Sequence, residues 1–245
     1  MSKKKDNKKI ILKKTALILT SLIFVFAAIL LTQLLFSVIF RLFKGDGEFT
    51  TTETAIYGVL TYASSAAIII IIPKQIKKQW KSTRESLGLK DLPTFTDIGL
   101  VIAELIVFLV LSSILTKIFS LFPWFDMSET QDVGFSGLYL VFDRVVAFFA
   151  LCILGPIAEE IIFRGWLYGK LREIIPGKKL SIVLSIFLTS LLFAILHGQW
   201  NVGVTVFALS VVMCIARELT GTIYSGILLH ILKNTIAFAL VFVML

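Results

Sequence analysis

Two adjacent glutamates, Glu159 and Glu160, and an arginine, Arg164, interrupt a stretch of the chain that is otherwise apolar. The two histidines of the chain, His197 and His230, also lie in apolar segments. Ionisable side chains are expensive in hydrocarbon, so their presence in such segments usually marks a functional site. Carboxylates and imidazoles are also the groups that transfer protons in hydrolysis, and together they suggest one hydrolytic site.

Helical spacing assigns different roles to the two glutamates. Residues four apart share a face of a helix, whereas neighbours point about 100° apart. Glu160 and Arg164 are therefore expected to form an ion pair within their helix, which is how charge survives in an apolar setting. Glu159 has no such partner on its own helix, and a free carboxylate aimed into a bundle can act as a general base. The spacing thus predicts one structural and one chemical glutamate.

The histidines belong to two further motifs with helical spacing. His197 follows Phe193 by four residues at the end of an apolar run, and His230 precedes Asn234 by the same interval. Imidazoles and a carboxamide can orient a water, donate to an oxyanion or bind a metal. Glu159 and the two histidines, on three helices, could meet around one water. The plainer alternatives are a solvated glutamate pair, an interfacial histidine and hydrogen bonds that join helices.

Composition predicts the elements that must position these residues. Of the 245 residues, 57% are hydrophobic, against about 45–50% in soluble domains. Several apolar runs reach the roughly 20 residues needed to span a bilayer, and they follow neither heptads nor strict alternation. The predicted fold class is all-α, a polytopic membrane bundle of about seven helices. The predicted spans are 15–40, 54–72, 98–122, 138–156 (continuing to 174 after a bend at Pro156), 180–197, 201–216 and 222–245.

Charge predicts the orientation of the bundle. Most lysines and arginines fall in the segments 1–14, 73–97, 164–180 and 215–222, which alternate with segments that hold few. By the positive-inside rule these four segments and the N-terminus are cytoplasmic, and the C-terminus lies outside. The net charge of +8 is attributed to this topology and to contact with anionic lipid headgroups, and no nucleic-acid partner is expected. The predicted location is the cell membrane, as a multi-pass protein.

Other charged residues also fall within the predicted spans, among them Glu104, Lys117 and Lys233. Glu104 and Lys117 are expected to snorkel towards the membrane surface from positions near the span ends. Lys233 follows His230 by three residues and could flank the candidate site or reach the interface. The sequence leaves both interpretations of Lys233 open.

The chain resembles the CAAX protease and bacteriocin-processing family (CPBP, also called Abi), whose members resemble the type II CAAX prenyl endopeptidase. The resemblance covers about residues 98–245, the predicted protease core. Residues 1–97, with a lysine-rich tail, two spans and a basic cytoplasmic loop, match the family only in style, and the whole chain is expected to form one folded unit. Three motifs carry the resemblance: Glu159-Glu160-x-x-x-Arg164, Phe193-x-x-x-His197 and His230-x-x-x-Asn234.

This resemblance implies an intramembrane endopeptidase. Glu159 would activate the attacking water, while the two histidines and Asn234 would position that water and stabilise the oxyanion. The Glu160–Arg164 pair and Phe193 would support the site structurally. The substrate would be a peptide or protein at the membrane, which enters from the cytoplasmic side or laterally from the bilayer. A prenylated protein, a bacteriocin leader, a pheromone precursor and a lipid-anchored protein all stay open as substrates.

The resemblance also raises the question of a metal, because the family has been described both as metalloproteases and as glutamate-dependent proteases. Catalytic zinc commonly has three protein ligands and an open position, so the candidate ligands are His197, His230 and Glu159. However, the sequence has no His-Glu-x-x-His helix, and Glu159 cannot easily be both a ligand and a free base. The sequence therefore implies no cofactor firmly, and zinc is the one candidate.

Two hypotheses from other functional classes compete with the endopeptidase. The chain could be a non-catalytic immunity or regulatory protein that binds a bacteriocin-like peptide or a membrane partner. It could also be a small transporter that uses its buried charges as a proton relay, but it is short for this and lacks paired broken helices. The intact motifs favour the enzyme.

Overall fold

A computed structural model of the protein describes residues 2–45, 47–76, 84–90, 92–126, 138 and 140–242. Within these ranges, seven helices are long and apolar enough to cross a membrane, and none of the described residues forms a β-strand. The predicted all-α membrane bundle is thereby confirmed. The helices are α1 (Ser2–Lys44), α2 (Thr51–Ile76), α3 (Phe95–Phe119), α4 (Val141–Ile174), α5 (Lys178–Ile195), α6 (Trp200–Thr220) and α7 (Tyr224–Phe242).

The helix ends depart from the predicted spans where polar residues continue or stop a helix. Helix α1 includes the lysine-rich tail, because lysine is a good helix former even outside the apolar run. Helix α5 ends at Ile195, so His197 lies in the turn beyond it, beside Gly198 with its φ of 72°. Parts of the predicted loops, 77–83 and 127–137, and the end of the last predicted span, 243–245, lie outside the described residues.

Helix α4 is a single 34-residue span whose hydrogen-bond register changes along its length. Two π-helical segments, Phe149–Leu154 and Ile161–Tyr168, flank the α-helical turn Gly155–Glu160 that carries both glutamates. The N–H of Gly155 donates to the carbonyl of Ala150, five residues back. The bend predicted at Pro156 therefore coincides with the end of a π-helical segment, and such segments are frequent at functional sites.

The second half of α4 is the centre of the bundle. Trp166, Phe163 and Leu167 are at most 1% exposed. Surrounding helices shield Glu159, Glu160 and Arg164 of α4 from solvent, while the outward faces of the bundle expose many large apolar side chains, as lipid contact requires. The same apolar cluster includes side chains from all six other helices: Val25, Ala28, Ile69, Val101, Phe108, Phe193, Leu209, Met213 and Leu229.

Polar contacts fix one set of helix ends, those predicted to be cytoplasmic, against one another. Arg172 at the end of α4 forms a bidentate pair with Glu218 of α6, with N–O distances of 2.9 Å. The Tyr168 hydroxyl donates to the same carboxylate at 2.6 Å. Thr222, in the turn before α7, donates to Asp97 at the start of α3. These contacts set the relative heights of four helices and hence of the residues they carry.

The expectation that Glu104 snorkels is wrong. Its side chain is 7% exposed and lies ten residues into α3, on a face that packs against the start of α7 near Ser225. The carboxyl group also interacts electrostatically with Asp97 and Glu160. Tertiary packing of α3 against α7 thus holds Glu104 inside the bundle, whereas Lys117 near the other end of α3 is exposed as predicted.

Candidate active site

The ion pair predicted from spacing is present at the centre of the bundle. A guanidinium nitrogen of Arg164, Nη1, lies 2.9 Å from Oε1 of Glu160, and both side chains are at most 1% exposed. The guanidinium carbon of Arg164 also lies 4.4 Å from the centre of the Phe193 ring, a cation–π contact between α4 and α5. Phe193 therefore contacts the charged pair.

Glu160 has a second contact that spacing did not indicate. Its Oε1 lies 3.0 Å from Nδ1 of His230 on α7. Because a carboxylate accepts and cannot donate, Nδ1 must carry the hydrogen, and Nε2 of a neutral ring then has a free lone pair. That Nε2 faces Oε2 of Glu159 at 3.8 Å. Glu160 thus orients His230 towards Glu159, beyond the purely structural role predicted for it.

Glu159 finds its partners on other helices, as its isolation on α4 predicted. Its side chain is 8% exposed, and its carboxylate interacts electrostatically with the Tyr62 hydroxyl of α2. The separation of 3.8 Å from the His230 ring is too long for a direct hydrogen bond. Tyr62 is a site residue that the sequence did not indicate, because a tyrosine within an apolar span is ordinary and α2 lies far from the motifs in the chain.

His197 lies just beyond the end of α5 and reaches the same region. Its Nδ1 donates to the carbonyl of Phe193 at 2.8 Å, so Nε2 is again the acceptor of the neutral ring. Burial lowers the pKa of His197, an effect that the nearby Glu159 carboxylate opposes. The ring is therefore neutral at pH 7. The Phe193 ring centre lies 4.9 Å from that of His197 and 6.0 Å from that of His230, so one phenylalanine contacts both histidines.

Asn234 joins α7 to the π-helical segment of α4. Its Nδ2 donates to the carbonyl of Leu151 at 2.9 Å. In the register set by Gly155 and Ala150, the N–H of residue 156 would bond this carbonyl, but Pro156 has no N–H. Asn234 therefore satisfies a carbonyl that proline leaves unpaired. One amide N–H remains for the predicted role at the oxyanion.

Comparison with known proteins adds independent support. The family model described as type II CAAX prenyl endopeptidase Rce1-like matches residues 141–236. Residues 141–236, called the Rce1-like domain after this match, are therefore similar to this family. A curated relative, the membrane-embedded CAAX protease MroQ of Staphylococcus aureus (strain USA300), is 29% identical over 87 residues. That alignment covers 35% of this chain and 35% of the relative, so it spans about a third of the relative's length. No solved structure matches the chain.

The Rce1-like domain contains all the motif residues, and the match agrees with the predicted resemblance. It runs from the start of α4 into α7, and both matches support a membrane protease in coarse terms. Tyr62 on α2 lies outside the matched range, although it contacts Glu159. The geometry therefore extends the candidate site beyond the Rce1-like domain.

The candidate zinc ligands of the Rce1-like domain do not form a three-ligand set. Within the part of the chain that the structure describes, no three His, Cys, Asp or Glu side chains lie close enough to hold a metal ion. Nδ1 of His230 is held by Glu160 and Nδ1 of His197 by the Phe193 carbonyl, which leaves the two Nε2 atoms as possible metal donors. Among the described residues, however, no third ligand lies close enough to complete a site. The described residues thus do not fit a zinc site, and peptide hydrolysis at this site would rely on protein side chains alone.

Proposed function

We propose that this protein is an intramembrane endopeptidase in which Glu159 is the general base. The observation that carries this proposal is the 3.8 Å separation between Oε2 of Glu159 and Nε2 of His230. Both atoms are acceptors when the carboxylate is ionised and the ring is neutral. A water beside the pair can donate one hydrogen to each, which holds its oxygen lone pair free to attack a carbonyl carbon.

The proposed step begins when the water oxygen bonds to the carbonyl carbon of the scissile peptide. Glu159 takes the proton of the water, and the carbonyl oxygen becomes the oxyanion of a tetrahedral intermediate. The C–N bond then breaks, and Glu159 returns the proton to the leaving amine, so the products are a carboxyl group and an amine. The second amide N–H of Asn234 is suited to the oxyanion. His197, with Nε2 as an acceptor, suits the positioning of the water.

A groove between α2 and α4 supports lateral entry of the substrate from the bilayer. An apolar cavity of about 340 Å³ is lined by residues of α2, including Val59, and by residues of α4, including Leu154. Val59 precedes Tyr62 by one helical turn, and Leu154 lies one to two turns before Glu159. An apolar segment in this groove would therefore extend towards the proposed base. Both the matched family and the relative are described as CAAX proteases. A lipid-modified or apolar peptide would fit the apolar groove between α2 and α4.

The test compares the wild type with Glu159→Ala in host membranes, followed by mass spectrometry of membrane-associated peptides. Loss of the general base should reduce cleavage by about 10²–10⁴-fold at equal protein level. Glu173→Gln is the matched control, because Glu173 lies on the same helix, is exposed and pairs with Lys170. If both Glu159→Ala and His230→Ala give the same membrane-associated peptides as the wild type, the catalytic proposal fails. The non-catalytic immunity or regulatory alternative then stands.

A further inference from the structure

The close ion pair at the site neutralises Glu160 but leaves the negative charge of Glu159 uncompensated. Glu160 is paired with Arg164. Glu159 meets a tyrosine hydroxyl and the lone pair of a histidine ring, and both groups are neutral. A buried carboxylate without a cation carries a large desolvation penalty, so the site needs a second positive charge.

Lys233 can supply that charge. It follows His230 by three residues on α7, so both side chains project from the same side of the helix. The lysine is partly buried, and its charge interacts with Glu159 and with His197. Among the described residues, no carboxylate oxygen lies within 4.0 Å of its ammonium. Its charge is therefore not already neutralised by a close ion pair.

The backbone that carries Lys233 is held in place. The adjacent Asn234 donates to the Leu151 carbonyl, which ties this turn of α7 to the π-helical segment of α4. The lysine charge also interacts with Cys152 in the same segment. A lysine near a helix end can snorkel to the interface, but the backbone of this one is tied to the segment of α4 that precedes the glutamates.

We propose that Lys233 is the fixed countercharge of Glu159, an inference that rests on the proposed endopeptidase function. When Glu159 takes the proton of the water, the negative charge passes from its carboxylate to the oxyanion of the intermediate. A cation that stays in place offsets this charge before and after the transfer, and preorganised charge of this kind stabilises a transition state in a dry site. Lys233 is thus a positioning residue, since it acts through Glu159.

A double-mutant cycle on thermal stability tests the pairing without any substrate. In purified full-length protein, Lys233→Met should lower Tm by about 4–8 °C, because it leaves the Glu159 carboxylate without a cation. Adding Glu159→Gln removes that charge, so the double variant should recover at least half of the loss. Additive effects of the two substitutions would overturn the inference. Lys233→Met could fail to accumulate as folded protein. In that case, accumulation of the double variant supports the pairing, whereas failure of both variants to accumulate overturns the pairing.

The activity arm uses a peptide that the wild type cleaves. Lys233→Met should lower kcat at least about 10-fold and change KM less than about twofold, because the charge acts mainly in the transition state. Lys233→Arg keeps the cation and should retain most of kcat, and Lys117→Met, an exposed lysine of α3, is the control. Unchanged kcat in Lys233→Met, or equal losses in the Met and Arg variants, would refute the countercharge. Full cleavage by Glu159→Ala would instead refute the protease, and the stability cycle would still decide the pairing.

Discussion

His230 lies between two carboxylates, and each of them lies near a different nitrogen of its ring. Nδ1 lies 3.0 Å from Glu160, whereas Nε2 lies 3.8 Å from Glu159. Because Glu160 also binds Arg164, a buried ion pair fixes the orientation of the imidazole. A histidine held in this way presents the same nitrogen to Glu159 throughout a reaction cycle, and a water shared between the two groups requires this.

Tyr62 should matter to activity through its hydroxyl alone. Replacing it with phenylalanine keeps the ring and its packing but removes the hydroxyl that interacts with the Glu159 carboxylate. A hydrogen bond to a charged group contributes about 1.5–3 kcal/mol. Tyr62→Phe should therefore lower kcat/KM by about 10- to 100-fold, as measured by peptide cleavage in proteoliposomes.

Tyr57 provides the matched control on the same helix. Its hydroxyl donates to the backbone carbonyl of Gln33 at 3.1 Å, away from the candidate site. Tyr57→Phe should leave kcat/KM within about twofold, because a loss at this position affects only packing between α1 and α2. Equal activity of the two variants would show that the Tyr62 hydroxyl does not act on Glu159.

Local spacing could predict some of these residue contacts and not others. The Glu160–Arg164 pair follows from an interval of four residues on one helix, and it is present. The contacts of Glu160 with His230 and of Glu159 with Tyr62 join residues far apart in the chain. They depend on how three helices pack, and no interval in the sequence encodes that distance.

At the scale of the helix, Pro156 and Asn234 form a matched pair. Proline ends the π-helical segment without an N–H for the Leu151 carbonyl, and Asn234 on α7 supplies the missing donor. A carbonyl left unpaired in hydrocarbon is costly, because no water is present to satisfy it. The position of α7 against α4 is thus tied to the break in the α4 register.

A compensating pair of substitutions can test this relation. Asn234→Ala should reduce the free energy of unfolding by about 1–3 kcal/mol, because the Leu151 carbonyl loses its donor. Adding Pro156→Ala restores an N–H within the helix, so the double variant should recover much of the loss. Apparent Tm in detergent is the measurement, with Pro156→Ala alone as the control. A double variant that is less stable than Asn234→Ala would contradict the relation.

The sequence indicated the bend but not its form. A proline within a long apolar run predicts a break in the helix, and the register does change just before Pro156. A π-helical segment differs from an α-helix by about one residue per turn, and a run in which nearly every residue is apolar gives no periodicity to reveal it. The seven spans were predictable because length and hydropathy alone determine them.

At the scale of the whole molecule, the first two helices are part of the folded core. Val25 of α1 and Ile69 of α2 are fully buried in the cluster that contains Trp166. The loop at 84–90 is also bound, since Arg217 donates to the Ser86 carbonyl at 3.1 Å. The segment outside the Rce1-like domain therefore both packs against α4 and supplies Tyr62 to the candidate site.

These contacts predict that residues 98–245 alone are inactive. Without α1 and α2, a face of α4 that is now buried would be exposed to lipid, and Glu159 would lose its interaction with Tyr62. Co-expression of 1–91 with 92–245 should restore cleavage, because helices preformed in the bilayer can associate through packing. The same fragments with Tyr62→Phe should assemble, judged by co-purification, yet cleave about 10- to 100-fold more slowly than the matched wild-type pair. Wild-type cleavage by 98–245 alone would refute the requirement, whereas assembly without cleavage in the wild-type pair would mean that packing alone does not complete the site.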